Sequence, residues 1–218
     1  MWRAPAIWRC SSAAGSIRPL TDESLLKRKP GNTPFENAAP LLRFYGRALS
    51  LKRLFRQGWL QRGVPVERCE SVADHCFLTA LLAWQAARSL RPDLNAGRVL
   101  ELAMVHELGE IGAGDITPHD GVSADDKRQR EEAAVVALCE GLPDGEGLLA
   151  LWREYEYGAS PEADFVRQVD KLEMALQSQA YEADTGLCLP EFAVSAAEAV
   201  HDEALLRLLR SVTNPHDD

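Results

Sequence analysis

Two histidines and two carboxylates stand where a helical chain buries its side chains. Val99, Leu102, Ala103 and His106 fall at i, i+3, i+4 and i+7, which puts His106 on the apolar stripe of a helix. Glu107 follows directly, and Gly109 offers a helix end. A lone histidine on an apolar face is more often a satisfied core residue than a ligand. An acid beside it changes the balance, because an unpaired carboxylate in a core is costly and a divalent cation resolves that cost. His75 repeats the theme, with Asp74 before it and Val72 and Leu78 around it. Val166, Asp170 and Met174 share a face at i, i+4 and i+8, so Asp170 is directed inward. The plain alternative for Asp170 is a surface acid paired with Arg167 or Lys171. Mixed nitrogen and oxygen donors suit Mn, Fe, Co, Ni or Zn better than Mg alone. Such an ion polarises a phosphoryl oxygen and acidifies water.

The elements that must position these groups are helices. From Asn37 onward apolar residues recur at helical spacing, and β-branched alternation is almost absent. A first helix is predicted near Ala38 to Phe55, ending before Gly58. A second begins at Ser71, where Ser71 and Asp74 form a capping-box-like pair, and ends near Pro92. A third covers about Asn95 to Leu108. The glycines and proline of 112–118 mark a loop. Ser123 then caps a charged helix reaching Leu142, and further helices cover about Glu146 to Tyr157, Pro161 to Ala183, and Pro190 to Val212 in one or two pieces. The charged run Asp125 to Glu132 reads as a solvated helix face. The expectation is one all-α domain of six to eight helices over residues 36–218. It follows an arm of residues 1–35, rich in Pro, Gly, Ser and Arg.

The bulk properties narrow the chemistry. The chain has 218 residues, 46% of them apolar, enough for one core. No apolar run approaches the roughly 20 residues needed to span a bilayer. A net charge of −9 argues against wrapping a nucleic acid polymer, though a local metal or arginine can still hold a small phosphate ester. Five scattered cysteines without CxxC spacing fit reduced thiols in a cytoplasmic setting. Arg3, Arg9 and Arg18, with no acid before Asp22, offer an organellar transit segment as the alternative.

The segments Glu70-Ser-Val-Ala-Asp-His75, Val105-His-Glu-Leu-Gly-Glu110, Gly114-Asp-Ile-Thr-Pro118 and Val169-Asp170 resemble, in order and spacing, the signature of HD-domain metal-dependent phosphohydrolases. More narrowly they resemble the 5′-deoxynucleotidase branch, as do Leu51 to Arg62, Lys127 to Glu132 and Leu151 to Glu156. The resemblance covers about residues 40 to 210. It implies an HD-domain helical bundle, a homodimer and hydrolysis of 5′-deoxynucleoside monophosphates. It also implies that His75, His106 and Asp170 match three ligands of the catalytic metal. Glu107 takes the fourth position, where the family normally has aspartate. Glu110 and Asp115 match acids that act on the nucleophilic water or hold a second cation, such as Mg. Ile116, Thr117 and Pro118 match the loop lining the nucleotide pocket. Arg56 and Trp59 match a phosphate-orienting arginine and its neighbouring tryptophan, with Arg53 and Arg62 as credible substitutes for Arg56. Another phosphate ester as substrate, or a non-catalytic nucleotide-binding or dimerisation module, are the competing readings.

Overall fold

The structure, a computed structural model, describes residues 34–117 and 120–213. The arginines of the expected arm, Pro118 and His119 lie outside them. Among the described residues ten α-helices and one 3-10 turn follow one another without a strand. They are α1 (Pro40–Ala48), the turn Leu49–Lys52, α2 (Gln57–Gln61), α3 (Val72–Leu90), α4 (Ala96–Val105), α5 (Glu110–Ala113), α6 (Ala124–Cys139), α7 (Gly145–Tyr157), α8 (Pro161–Thr185), α9 (Pro190–Ala199) and α10 (Glu203–Thr213). Eight of the ten have nine residues or more, the upper end of the six to eight expected; α2 and α5 are short additions.

Helix starts follow their local chemistry. The Ser71 hydroxyl accepts from Asp74 N–H, and the Asp74 carboxylate accepts from Ser71 N–H, closing the capping box of α3. Asn95, Ser123 and Ser160 accept at the starts of α4, α6 and α8 in the same way. Pro161 at the first position of α8 has no N–H to orphan.

The 25-residue α8 is the central strut. Its Phe165, Val166, Val169 and Leu172 pack against Ala80, Ala83 and Ala87 of α3 and against Val99 and Leu102 of α4. The alanine face of α3 presents no long side chain, so the three helices close tightly. A second cluster joins Val72, Val105, Leu108 and Ile111 to Val135 and Trp152. A third gathers Trp59, Val64, Cys69, Tyr181 and Leu189.

The first predicted helix departs from expectation. It stops at Ala48, tightens to a 3-10 turn, and then runs extended until α2. Phe55 forms an isolated antiparallel bridge with Ser71, with Val72 N–H donating to Leu54 O at 2.8 Å and Arg56 N–H to Glu70 O at 3.2 Å. These long-range bonds outbid continuation of the helix, and they carry Arg56 inward. Gly109 also differs: its φ of −60° is helical. A Cβ there would stand 2.6 Å from Glu131 Cβ, so the residue serves the close approach of α6. The charged face of α6 is correspondingly not all solvated. Glu131 is buried, paired with Lys127 at 3.5 Å.

Candidate metal centre

His75 lies one turn into α3, His106 and Glu107 in the turn that closes α4, and Asp170 midway along α8. The packing of these helices brings one donor atom from each residue within 4.8 Å of all the others. His75 Nε2 is 3.1 Å from Asp170 Oδ1 and 3.4 Å from His106 Nε2. Glu107 Oε1 stands 3.8 Å from both Nε2 atoms. A four-coordinate cation with bonds of about 2.0–2.2 Å holds its donors about 3.4 Å apart. The four positions read from the sequence are therefore brought together, and the lysine alternative for Asp170 operates beside them, with Lys171 Nζ at 3.0 Å.

The remaining ring nitrogens are already engaged. His106 Nδ1 faces Ala103 O at 2.7 Å, and His75 Nδ1 faces Glu173 Oε2 at the same distance. Each oxygen accepts a hydrogen bond from its Nδ1–H, which leaves Nε2 as the nitrogen that faces the cluster and can ligate a metal. The donor set thus fits a divalent cation. Tyr155 of α7 packs edge-on against His106, ring centroids 5.4 Å apart.

A second group adjoins the first through Glu107. Arg56 Nη1 is 3.0 Å from Glu107 Oε1, 3.6 Å from Glu110 Oε1 and 3.6 Å from Asp115 Oδ1. Of the three arginines weighed from the sequence, Arg56 is the one that lies beside these carboxylates. Arg53 is exposed, and Arg62 pairs with Glu191 at 2.7 Å. Asp115 also accepts from Gln57 N–H, which ties the 114–117 loop to α2. Ile116 is half-buried in that loop. Thr117 is buried, its N–H donating to Asp120 Oδ2 at 2.8 Å and its hydroxyl near Gln61 Nε2 at 3.3 Å.

Trp59 is placed differently from its expected role against a sugar or base. It is 1% exposed, its indole tilted on Phe192 at 4.0 Å and edge-on to Tyr181 at 5.2 Å, and its Nε1–H donates to Glu70 Oε1 at 2.7 Å. The third core cluster claims the ring because α2 is seated across Tyr181 and Leu189.

The electrostatics have separate causes. Burial would raise the carboxyl of Glu107, but Arg56 and then the two histidines overcome it and hold it at about 2. Burial pushes Glu110 well above the usual carboxylate range, with Glu107 and Asp115 adding to it. Burial opposes ionisation of Asp170 too, yet Lys171 and His75 hold it well below. For His75, burial and Arg56 disfavour the charge, and hydrogen bonds to Asp170 and Glu173 outweigh them, lifting it to about 9. The metal-free ring is then an imidazolium whose Nε2 proton a cation must displace. Glu110 Oε2 is buried with no hydrogen-bond partner. Sequence reasoning passed over Glu173; its signal was Asp170-Lys-Leu-Glu173, a second acid one turn on and on the same inward face. Lys127 was also passed over, and it lies within the field of Glu107, Glu110 and Asp115.

Residues 48–207 match the HD-domain family. The chain is 42% identical over 148 residues to the mouse (Mus musculus) 5′-deoxynucleotidase HDDC2, covering 67% of this chain and 72% of that protein. It is 38% identical over 176 residues to the zebrafish (Danio rerio) 5′-deoxynucleotidase HDDC2, covering 79% and 86%. Among solved structures, PH0347 from Pyrococcus horikoshii aligns with a TM-score of 0.66 at 32% identity, over 78% of this chain and 97% of that one. A predicted metal-dependent phosphohydrolase from Magnetospirillum magnetotacticum gives 0.61 at 25% identity, over 81% and 93%. With a match spanning residues 48–207 and relatives this similar over most of their length, the chain belongs to the HD-domain family.

Proposed function

We propose that this protein hydrolyses 5′-deoxynucleoside monophosphates to deoxynucleoside and phosphate, with a divalent cation held by His75, His106, Glu107 and Asp170. The observation that carries the reading is the junction at Glu107. One carboxylate closes a four-donor cluster and also meets a buried guanidinium, so a cation site and an anion-orienting group lie side by side. The names of the mouse and zebrafish relatives supply the substrate class. A divalent ion such as Mn, Co, Fe, Ni or Zn supplies polarisation of the phosphoryl group and acidifies the attacking water.

The protein's own groups do the rest. Arg56 is buried among three carboxylates and offers a planar fork to phosphate oxygens. Asp115 Oδ1 and Glu107 Oε1 aim that fork. Glu110 Oε2, buried and unpartnered, holds a proton for the departing nucleoside oxygen. The same orphaned oxygen, with Asp115, supports a second reading in which the pair holds a further cation such as Mg. Ile116 and Thr117 line the nucleoside side. The homodimer belongs to the same reading, with the exposed Phe77, Leu78 and Leu81 of α3 as apolar surface for a partner copy; sedimentation decides it. A cytoplasmic location is the matching expectation, with an organelle as the alternative, and imaging of the tagged full chain distinguishes them.

The experiment is a nucleotide panel assayed with single added metals after chelator treatment, on the wild type and on His75→Ala, His106→Ala and Asp170→Ala. Each variant should lose metal-dependent phosphate release while staying helical by circular dichroism. Full activity and wild-type metal content in all three would rule out the proposed centre.

A further inference from the structure

One helix holds the His75 ring at both ends. Asp170 and Glu173 lie one turn apart on α8. Asp170 Oδ1 meets Nε2 at 3.1 Å, and Glu173 Oε2 meets Nδ1 at 2.7 Å. The spacing i, i+3 lets a single rigid element set both the place of the ring and its rotation. Glu173 is 4% exposed, and a carboxylate is not left there without a partner that compensates its desolvation. A carboxylate accepts from Nδ1–H, so Nδ1 keeps its proton and it is the Nε2 proton that yields when a cation binds, leaving the Nε2 lone pair as the donor. That lone pair points toward His106 Nε2, Glu107 and Asp170.

Glu70, His75 and Glu173 also place donor atoms within 4.8 Å of one another, which raises the alternative of a second cation on Nδ1. The 2.7 Å separation decides against it. It is a hydrogen-bond length, and metals on both nitrogens would need the ring to give up its last proton. Glu70 is instead fixed by Trp59 Nε1–H, which donates to Oε1, and its N–H donates to Tyr181 Oη at 2.8 Å. The two histidines therefore differ. His106 donates to a neutral backbone carbonyl and His75 to a buried carboxylate, which makes Nε2 of His75 the stronger donor of the pair.

We propose that Glu173 is a positioning residue of the metal centre, fixing the tautomer and orientation of His75 and raising the basicity of its Nε2, so that it sets the affinity for the cation. Glu173 touches neither cation nor substrate. The inference rests on the ligand set proposed above.

The test uses Co(II) alone, titrated into the chelator-stripped full chain against a chromophoric chelator and followed by visible absorption. The variants are Glu173→Gln, Glu173→Ala and, for the ligand set, His75→Ala. We expect His75→Ala to lose the ion. Glu173→Gln and Glu173→Ala should bind about 10- to 100-fold more weakly, with a shifted Co(II) spectrum. A merely structural role for Glu173 lowers the thermal midpoint of the metal-free protein and leaves affinity and spectrum intact. Wild-type affinity and spectrum in Glu173→Gln, with His75→Ala empty, overturns the inference and spares the ligand set. If Glu173→Ala does not fold, the isosteric glutamine decides alone. Undiminished binding by His75→Ala instead removes the ligand set, and the inference with it.

Discussion

Glu107 Oε1 serves two neighbours at once, Arg56 at 3.0 Å and the pair of histidine nitrogens at 3.8 Å. A glutamate is one methylene longer than the aspartate that the motif resemblance leads one to expect here, and the extra reach, about 1.5 Å by bond length, lets the carboxylate span from the donor cluster to the guanidinium. As the proposed fourth ligand, Glu107 would divide its charge between the cation and Arg56. Ions that tolerate a variable shell, such as Mn, should then support phosphate release better than ions demanding a fixed one. Metal titration should show Glu107→Asp binding as tightly as the wild type or more tightly. Glu107→Gln keeps the length and removes the charge, so it should bind more weakly. Equal affinity of the glutamine and glutamate proteins would show that residue 107 is not a ligand.

The short α2 has an architectural task that its five residues do not announce. Trp59 anchors it across Tyr181 of α8 and Phe192 of α9, and through Nε1–H it fixes Glu70 next to Glu173. Arg56, at the N-cap of the same helix, takes its position from that anchor. Trp59→Ala empties a fully buried site and should cost about 3–5 kcal/mol by urea denaturation. Trp59→Phe keeps most of the ring but leaves Glu70 Oε1 without its donor, so it should fall between the two. At temperatures where Trp59→Phe is folded, its KM for nucleotide should stay within a few-fold of the wild type, because the indole contacts core side chains. A large KM increase with undiminished stability would return Trp59 to the substrate pocket.

Buried charge makes the stability of the whole domain depend on pH with a definite sign. Burial, helped by Glu173, raises Glu70 to about 7, and burial raises Glu131 to about 7 against the pull of Lys127. His75 is lifted to about 9 in spite of burial. Groups that hold protons more tightly folded than unfolded stabilise fully below the unfolded pKa, and that contribution is lost as pH rises through the folded one. The loss begins at the ordinary glutamate value of 4.5 and continues, for His75, from 6.5 to about 9. Glu107 and Asp170 have the opposite sign, but their contributions are lost only as pH falls below the ordinary carboxylate range. Burial also lowers His106, which offsets part of the loss below 6.5 but is outweighed by Glu70, Glu131 and His75 together. The thermal midpoint of chelator-treated protein should therefore fall between about pH 5 and pH 9. Cation binding needs the Nε2 proton of His75 removed, so added Mn should stabilise increasingly over the same range. Parallel midpoint curves with and without Mn would contradict this linkage. Glu131→Gln should flatten the lower half of the metal-free curve and leave the upper half unchanged.

Helical spacing is a statement about a side chain and its own helix. It sufficed to bury His75, His106 and Asp170, to cap α3 with Ser71 and Asp74, and to give an all-helical domain. The motif order then supplied the family. Spacing says nothing of what stands across the gap, and every departure arose there. The Phe55–Ser71 bridge ends the first helix and carries Arg56, not Arg53 or Arg62, to Glu107. Tyr181 and Phe192 draw Trp59 into the core. The close pass at Gly109 buries Glu131 within a run that looks solvated. Glu173 gains its role only because His75, 98 residues away, turns Nδ1 toward it. Each is a contact between segments far apart in the chain, set by how the helices pack and not by any local preference.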